Sequence, residues 1–103
     1  MMKPQLPQRH HRTGVPTRTP VHPGHLLEKL FLVPLGMNQT EAASRLGVSR
    51  RRLHEVVRGR RALTPDTAAR CALHFGADAQ FWLVLQAQHD AFLATRRLQS
   101  ARS

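Results

Sequence analysis

Six arginines and one glutamate fall within GVSRRRLHEVVRGRR, residues 47–61. Arg50, Arg51 and Arg52 follow Ser49 directly, and Arg58, Arg60 and Arg61 close the segment around Gly59. A guanidinium can donate two parallel hydrogen bonds to a phosphate, or to O6 and N7 of guanine. Between the arginines, Leu53, Val56 and Val57 recur at i, i+3, i+4, which predicts a short helix with one buried stripe. At about 100° per residue, Arg51, Glu55 and Arg58 fall opposite that stripe. Arg50 and His54 lie on one shoulder and Arg52 on the other. Cations in a first helical turn oppose the helix macrodipole, by about 0.3–1 kcal/mol each. A merely solvated face would favour Asp or Glu there, so the pattern points to a polyanionic partner.

The flanking sequence shows how such a helix would be held. Ser49 reads as its N-cap and Gly59 as its end. Upstream, Asn38 with Glu41 three residues on reads as a capping box for a two-turn helix, Gln39 to Leu46. Gly47 supplies the left-handed residue that ends it. Only Gly47, Val48 and Ser49 separate the two helices, and a glycine-containing turn that short fits a helix-turn-helix. Ala43 is small where the two helices approach, and Val48, Leu53 and Val56 fill the space beneath. In that motif the second helix enters the major groove with its N-terminal residues at the base edges. Arg50 and Arg51 are then the best base readers. Glu55 either accepts from a cytosine amine or pairs with Arg51, and His54 is a candidate contact. Gln39, Ser49, Arg52, Arg58, Arg60 and Arg61 are placed for phosphates.

Three further helices are predicted. The first runs from about Gly24 to Leu32 on Leu26, Leu27, Leu30 and Phe31, and Pro34 and Gly36 stop it. The fourth starts at Thr64 with Pro65 and Asp66, buries Ala68, Ala69, Ala72, Leu73 and Phe75, and closes at Gly76. The fifth is capped by Asp78 and runs from about Ala79 to Arg96. Its run Phe81, Trp82, Leu83, Val84, Leu85 exceeds the single stripe that a small domain needs. The surplus predicts a homodimer interface around Trp82, Leu85 and Gln86. A two-fold dimer would meet half-sites about one helical turn apart, on near-palindromic double-stranded DNA. The fold class is all-α: a compact five-helix domain over residues 23–97, without strand pattern or repeat.

Residues 1–22 carry four prolines, four cations and no acid, and read as a flexible, disordered basic tail. His10, His11 and His22 there have nothing to fix a metal geometry. Residues 98–103 read as a frayed basic end. Of 103 residues, 16 are Lys or Arg against 6 Asp or Glu, for a net charge of +10. The lone Cys71 excludes a disulfide framework within the chain and a cysteine-based zinc site, and reads as a small buried thiol. No cofactor or metal is expected. The acids are scattered, with no paired carboxylates, which argues against an enzyme. No apolar run approaches the roughly 18 residues of a membrane span. No signal peptide is evident either, so the expectation is a soluble cytoplasmic protein without a membrane partner.

From Pro23-Gly24 through NQTEAASRLGVSRRRLHEVVRGRRALTPDTAARCALHFGADAQFWLVLQAQHD, the chain resembles the HigA-type antitoxins of the Xre/Cro-like helix-turn-helix superfamily. The likeness spans about Val21 to Ala94, and the block from Gly59 to Asp90 is its most telling part. It implies a lambda-repressor-like fold and two linked activities. One is to bind and neutralise a HigB-type toxin, a RelE-like ribonuclease that cuts messenger RNA. The other is to repress the protein's own operon as a dimer. On the superfamily pattern, Gln39, Arg50, Arg51, Glu55 and Arg58 match positions that usually contact DNA. Two features depart from the family: His25 stands where an acid is usual, and the basic segment before Pro23 is long. A stand-alone transcriptional repressor without a toxin is the alternative.

Overall fold

The computed structural model describes residues 18–102, and all the regular structure among them is helical. Five helices follow in order: α1 (Pro23–Leu27), α2 (Gln39–Leu46), α3 (Arg50–Val57), α4 (Pro65–Phe75) and α5 (Ala79–Ala101). A π-helical turn, Glu28–Leu32, continues α1.

Helix α1 departs from expectation at both ends. Its N-cap is His22, whose ring Nδ1 accepts a hydrogen bond from the Gly24 N–H at 3.0 Å. His22 is buried, and His89 Nδ1 on α5 donates to the Pro20 carbonyl at 2.9 Å. The domain therefore begins before Pro23, and residues 20–22 are not tail. Residues 1–17, where the rest of the expected tail lies, fall outside the described residues.

At its other end α1 widens, and the Val33 N–H reaches the Glu28 carbonyl five residues back at 2.9 Å. A π turn delays the helical register, so the inward residues become Leu27 and Leu32, five apart. Leu30, expected inside, is rotated out and 50% exposed.

The join between α2 and α3 is as expected. Asn38 Oδ1 accepts from the Glu41 N–H at 2.8 Å, and Ser49 Oγ accepts from the Arg52 N–H at 3.0 Å. Gly47 has φ 73°, and the Gly47 and Val48 N–H groups both bond the Ala43 carbonyl. The positive φ is why the turn favours glycine, and a Cβ on Gly47 would also displace the Arg70 guanidinium, 2.8 Å away.

The core gathers Leu27, Leu32, Ala42, Ala43, Leu46, Leu53, Val56, Val57, Leu63, Ala68, Cys71 and Trp82. Gly24 sets how closely α1 approaches α3, because a Cβ there would collide with the Val56 carbonyl oxygen. Helix α4 buries Thr67, Ala68 and Cys71, whereas Leu73, expected inside, is 83% exposed. Burial pushes the Cys71 thiol up to about 11, in keeping with a packed, unreactive thiol.

Helix α5 is longer than expected and stays helical through residues 98–101, where fraying was expected. Trp82 is fully buried and packs against Phe31, ring centroids 5.5 Å apart, and Phe31 stacks on Phe75 at the same separation. Gln86 points inward too. Its Oε1 accepts from the Leu63 N–H at 2.8 Å, and its Nε2 donates to Asp90 Oδ1 at 2.9 Å. Both residues were expected at a dimer interface; both are interior to one chain. The indole is the largest fully buried side chain, and the amide satisfies a backbone donor in the α3–α4 connection.

Candidate nucleic-acid interface

Leu53, Val56 and Val57 bury one side of α3, which leaves Arg50, Arg51, His54 and Arg58 exposed. Arg50, Arg51 and His54 together line a shallow concavity at the start of the helix. The Arg51 side chain is 90% exposed and meets Glu55 Oε1 at 3.5 Å. Arg61 Nη2 donates to the same Glu55 oxygen at 3.2 Å. Glu55 thus lies between two guanidinium groups and braces them. Arg60 is exposed beyond the end of α3, where its N–H bonds the Glu55 carbonyl at 2.8 Å.

Ser49 is exposed, and its hydroxyl oxygen is occupied as the α3 cap. Gln39, at the first position of α2, meets His54 across the motif, with Oε1 3.0 Å from Nδ1. The structure therefore brings Gln39, Arg50, Arg51, His54 and Glu55 together.

Arg52 is the exception. Its Nη2 donates to Thr64 Oγ1 at 3.1 Å and Thr67 Oγ1 at 3.0 Å, and lies 3.6 Å from Asp66. The shoulder it occupies faces the start of α4, so the guanidinium ties α3 to that helix and is not presented as a phosphate ligand.

A second clamp was not anticipated. Arg70 pairs with Asp66 at 2.9 Å and donates from Nη1 to the Leu46 carbonyl at 2.9 Å. It thereby satisfies the C-terminal end of α2 and holds the turn against α4. The i, i+4 spacing of Asp66 and Arg70 was a visible signal for the ion pair. The contact with α2 was not visible, because it depends on the tertiary approach.

A helix-turn-helix family model matches residues 27–82, which spans α2, the turn and α3 and reaches into α5. The chain belongs to this helix-turn-helix family. Within it, its relatives include HigA-type antitoxins and regulators rather than enzymes. Virulence-associated protein I of Dichelobacter nodosus is 41% identical over 80 residues, which is 78% of this chain and 74% of that one. An addiction module antidote protein of a HigA family from Coxiella burnetii superposes with a TM-score of 0.75 at 31% identity, covering 82% of this chain and 91% of that one. The Pseudomonas aeruginosa antitoxin HigA, solved with the higBA promoter, gives 0.70 at 32% identity, over 81% and 88% of the two chains.

Proposed function

We propose that this protein is the antitoxin of a type II toxin–antitoxin module. It binds its operator as a homodimer to repress its own operon, and it neutralises a RelE-like, HigB-type messenger RNA ribonuclease by direct contact. The observation that carries the DNA part is the exposed arginine face of α3, held against the preference of the helix dipole and projecting from a motif shared with a promoter-bound relative. Arg50, Arg51 and His54 read bases, with Glu55 fixing Arg51. Gln39, Ser49, Arg58, Arg60 and Arg61 hold phosphates.

The dimer contact moves one residue around α5 from where the sequence put it. Phe81 and Val84 are 42% and 44% exposed. With Leu85 and Gln88 they line one groove, and the four follow i, i+3, i+4, i+7 spacing. That stripe is the second apolar face of the helix, and it offers a two-fold partner a ready seam.

Co-expression with the product of the adjacent small open reading frame tests the antitoxin part. The expected outcome is growth arrest by that product alone, with rescue and co-purification when this chain is present. A harmless neighbour that forms no complex would leave the protein a stand-alone repressor.

A further inference from the structure

The Gln39–His54 contact joins the first residue of α2 to the middle of α3. It lies at the surface, where His54 is exposed. Its consequence is chemical. A glutamine Oε1 can only accept, so the ring nitrogen facing it, Nδ1, carries the proton. In a neutral imidazole Nε2 is then a bare acceptor, on the side of the ring away from Gln39.

His54 lines a concavity together with Arg50 and Arg51, which bring only donors. The other side-chain acceptor on α3, Glu55, is half-buried and has its Oε1 engaged by Arg51 and Arg61, whereas the His54 ring is exposed beside Arg50 and Arg51. In the major groove, guanine and thymine present acceptors, while exocyclic amines belong to adenine N6 and cytosine N4 alone.

Building on the DNA-binding reading above, we propose that Gln39 is a positioning residue for His54. We further propose that His54 Nε2 accepts a hydrogen bond from the exocyclic amine of an adenine or a cytosine in each half-site. The arginines read acceptor-bearing bases, and His54 adds a position that requires a donor. Gln39 acts through the ring: without it the imidazole is free to turn or to exchange tautomers, and a donor at Nε2 accepts guanine or thymine instead.

The test is selection of bound duplexes from a library with a random core of about two helical turns, using the full chain and its Gln39→Ala and His54→Ala variants. Wild-type protein should recover a motif with one position per half-site held to adenine or cytosine. His54→Ala should lose that position alone, and Gln39→Ala should blur it while keeping the arginine positions. Both variants should melt with the wild type. A second measurement needs no protein variant. In the recovered sequence, purine replaces the adenine, or 2-pyrimidinone the cytosine, which removes only the amine. Wild-type affinity should fall roughly three- to tenfold, the loss of one neutral hydrogen bond, and His54→Ala affinity should not change.

Guanine or thymine at that position, or a motif identical in wild type and His54→Ala, overturns the assignment of His54. Loss in His54→Ala with an unaltered Gln39→Ala motif overturns the role of Gln39. Recovery of no motif by wild-type protein overturns the DNA reading itself, and this inference with it.

Discussion

Arg51 and Arg52 are adjacent in the sequence and opposite in use. Arg51 is exposed and braced by Glu55, while Arg52 is bonded to two threonines at the start of α4. Arg52→Ala should lower the melting temperature, by the loss of part-buried, charge-assisted bonds of about 1–3 kcal/mol, and leave base preference intact. Arg51→Ala should keep the melting temperature and cost about tenfold or more in operator affinity, with relaxed preference at one base pair. Thermal unfolding and competition binding on both variants check the pair. The sequence separated these residues by helical angle, but it could not say that the Arg52 shoulder faces α4, because that depends on how α4 crosses α3.

His22 offers a second test at this scale. Its pKa is lowered from 6.5, first by burial and then by its neighbours His89 and His25; Asp90 and a backbone hydrogen bond with Arg61 act the other way. The folded state thus takes up its proton at lower pH than the unfolded chain does. Stability is full above pH 6.5 and falls as the pH drops from there toward the lowered value, since the unfolded state binds more protons in that window. The melting temperature should fall on acidification from pH 7.5 toward 5. His22→Asn keeps a capping acceptor without the titration and should flatten part of that slope. A slope unchanged in the variant would remove His22 as its source.

Among the elements, α2 and α3 were the most legible, since caps, glycine and stripe all agree locally. Helix α1 was less so. Its leucines fit an α-helical spacing, and the π turn that puts Leu32 inside and Leu30 outside has no signature in the local pattern. Helix α5 carries apolar residues on two faces, and only packing shows which face is spent on the core. Trp82 and Gln86 are on that face; Phe81 and Val84 are on the other. Phe81→Asp with Val84→Glu should therefore yield a folded monomer in sedimentation and weaken operator binding. Trp82→Ala should unfold much of the population, at a cost of about 3–5 kcal/mol. A folded dimer carrying the charged pair would move the interface elsewhere.

At the scale of the whole molecule, a net charge of +10 on 103 residues adds a long-range attraction for a polyanion to the local reading by α3. Operator affinity should fall steeply as salt rises, with a log–log slope close to the number of phosphates neutralised. Arg60→Ala should lower that slope by about one and weaken all sequences alike. No helix among the described residues is long and apolar enough to cross a membrane, and the helix-turn-helix already gives the charge a use. The domain's composition and fold class could be read from the sequence. That Pro20 and His22 pack on the domain could not, because a tertiary contact to α5 and a histidine cap hold them.

The most direct measurement is footprinting of the DNA upstream of the protein's own gene, with the wild-type chain and with Arg50→Ala and Arg51→Ala. The expected result is one near-palindromic element with two half-sites about one helical turn apart, protected by the wild type and lost or smeared with either variant. No protection at physiological salt, or protection indifferent to both arginines, would contradict α3 as the reading helix.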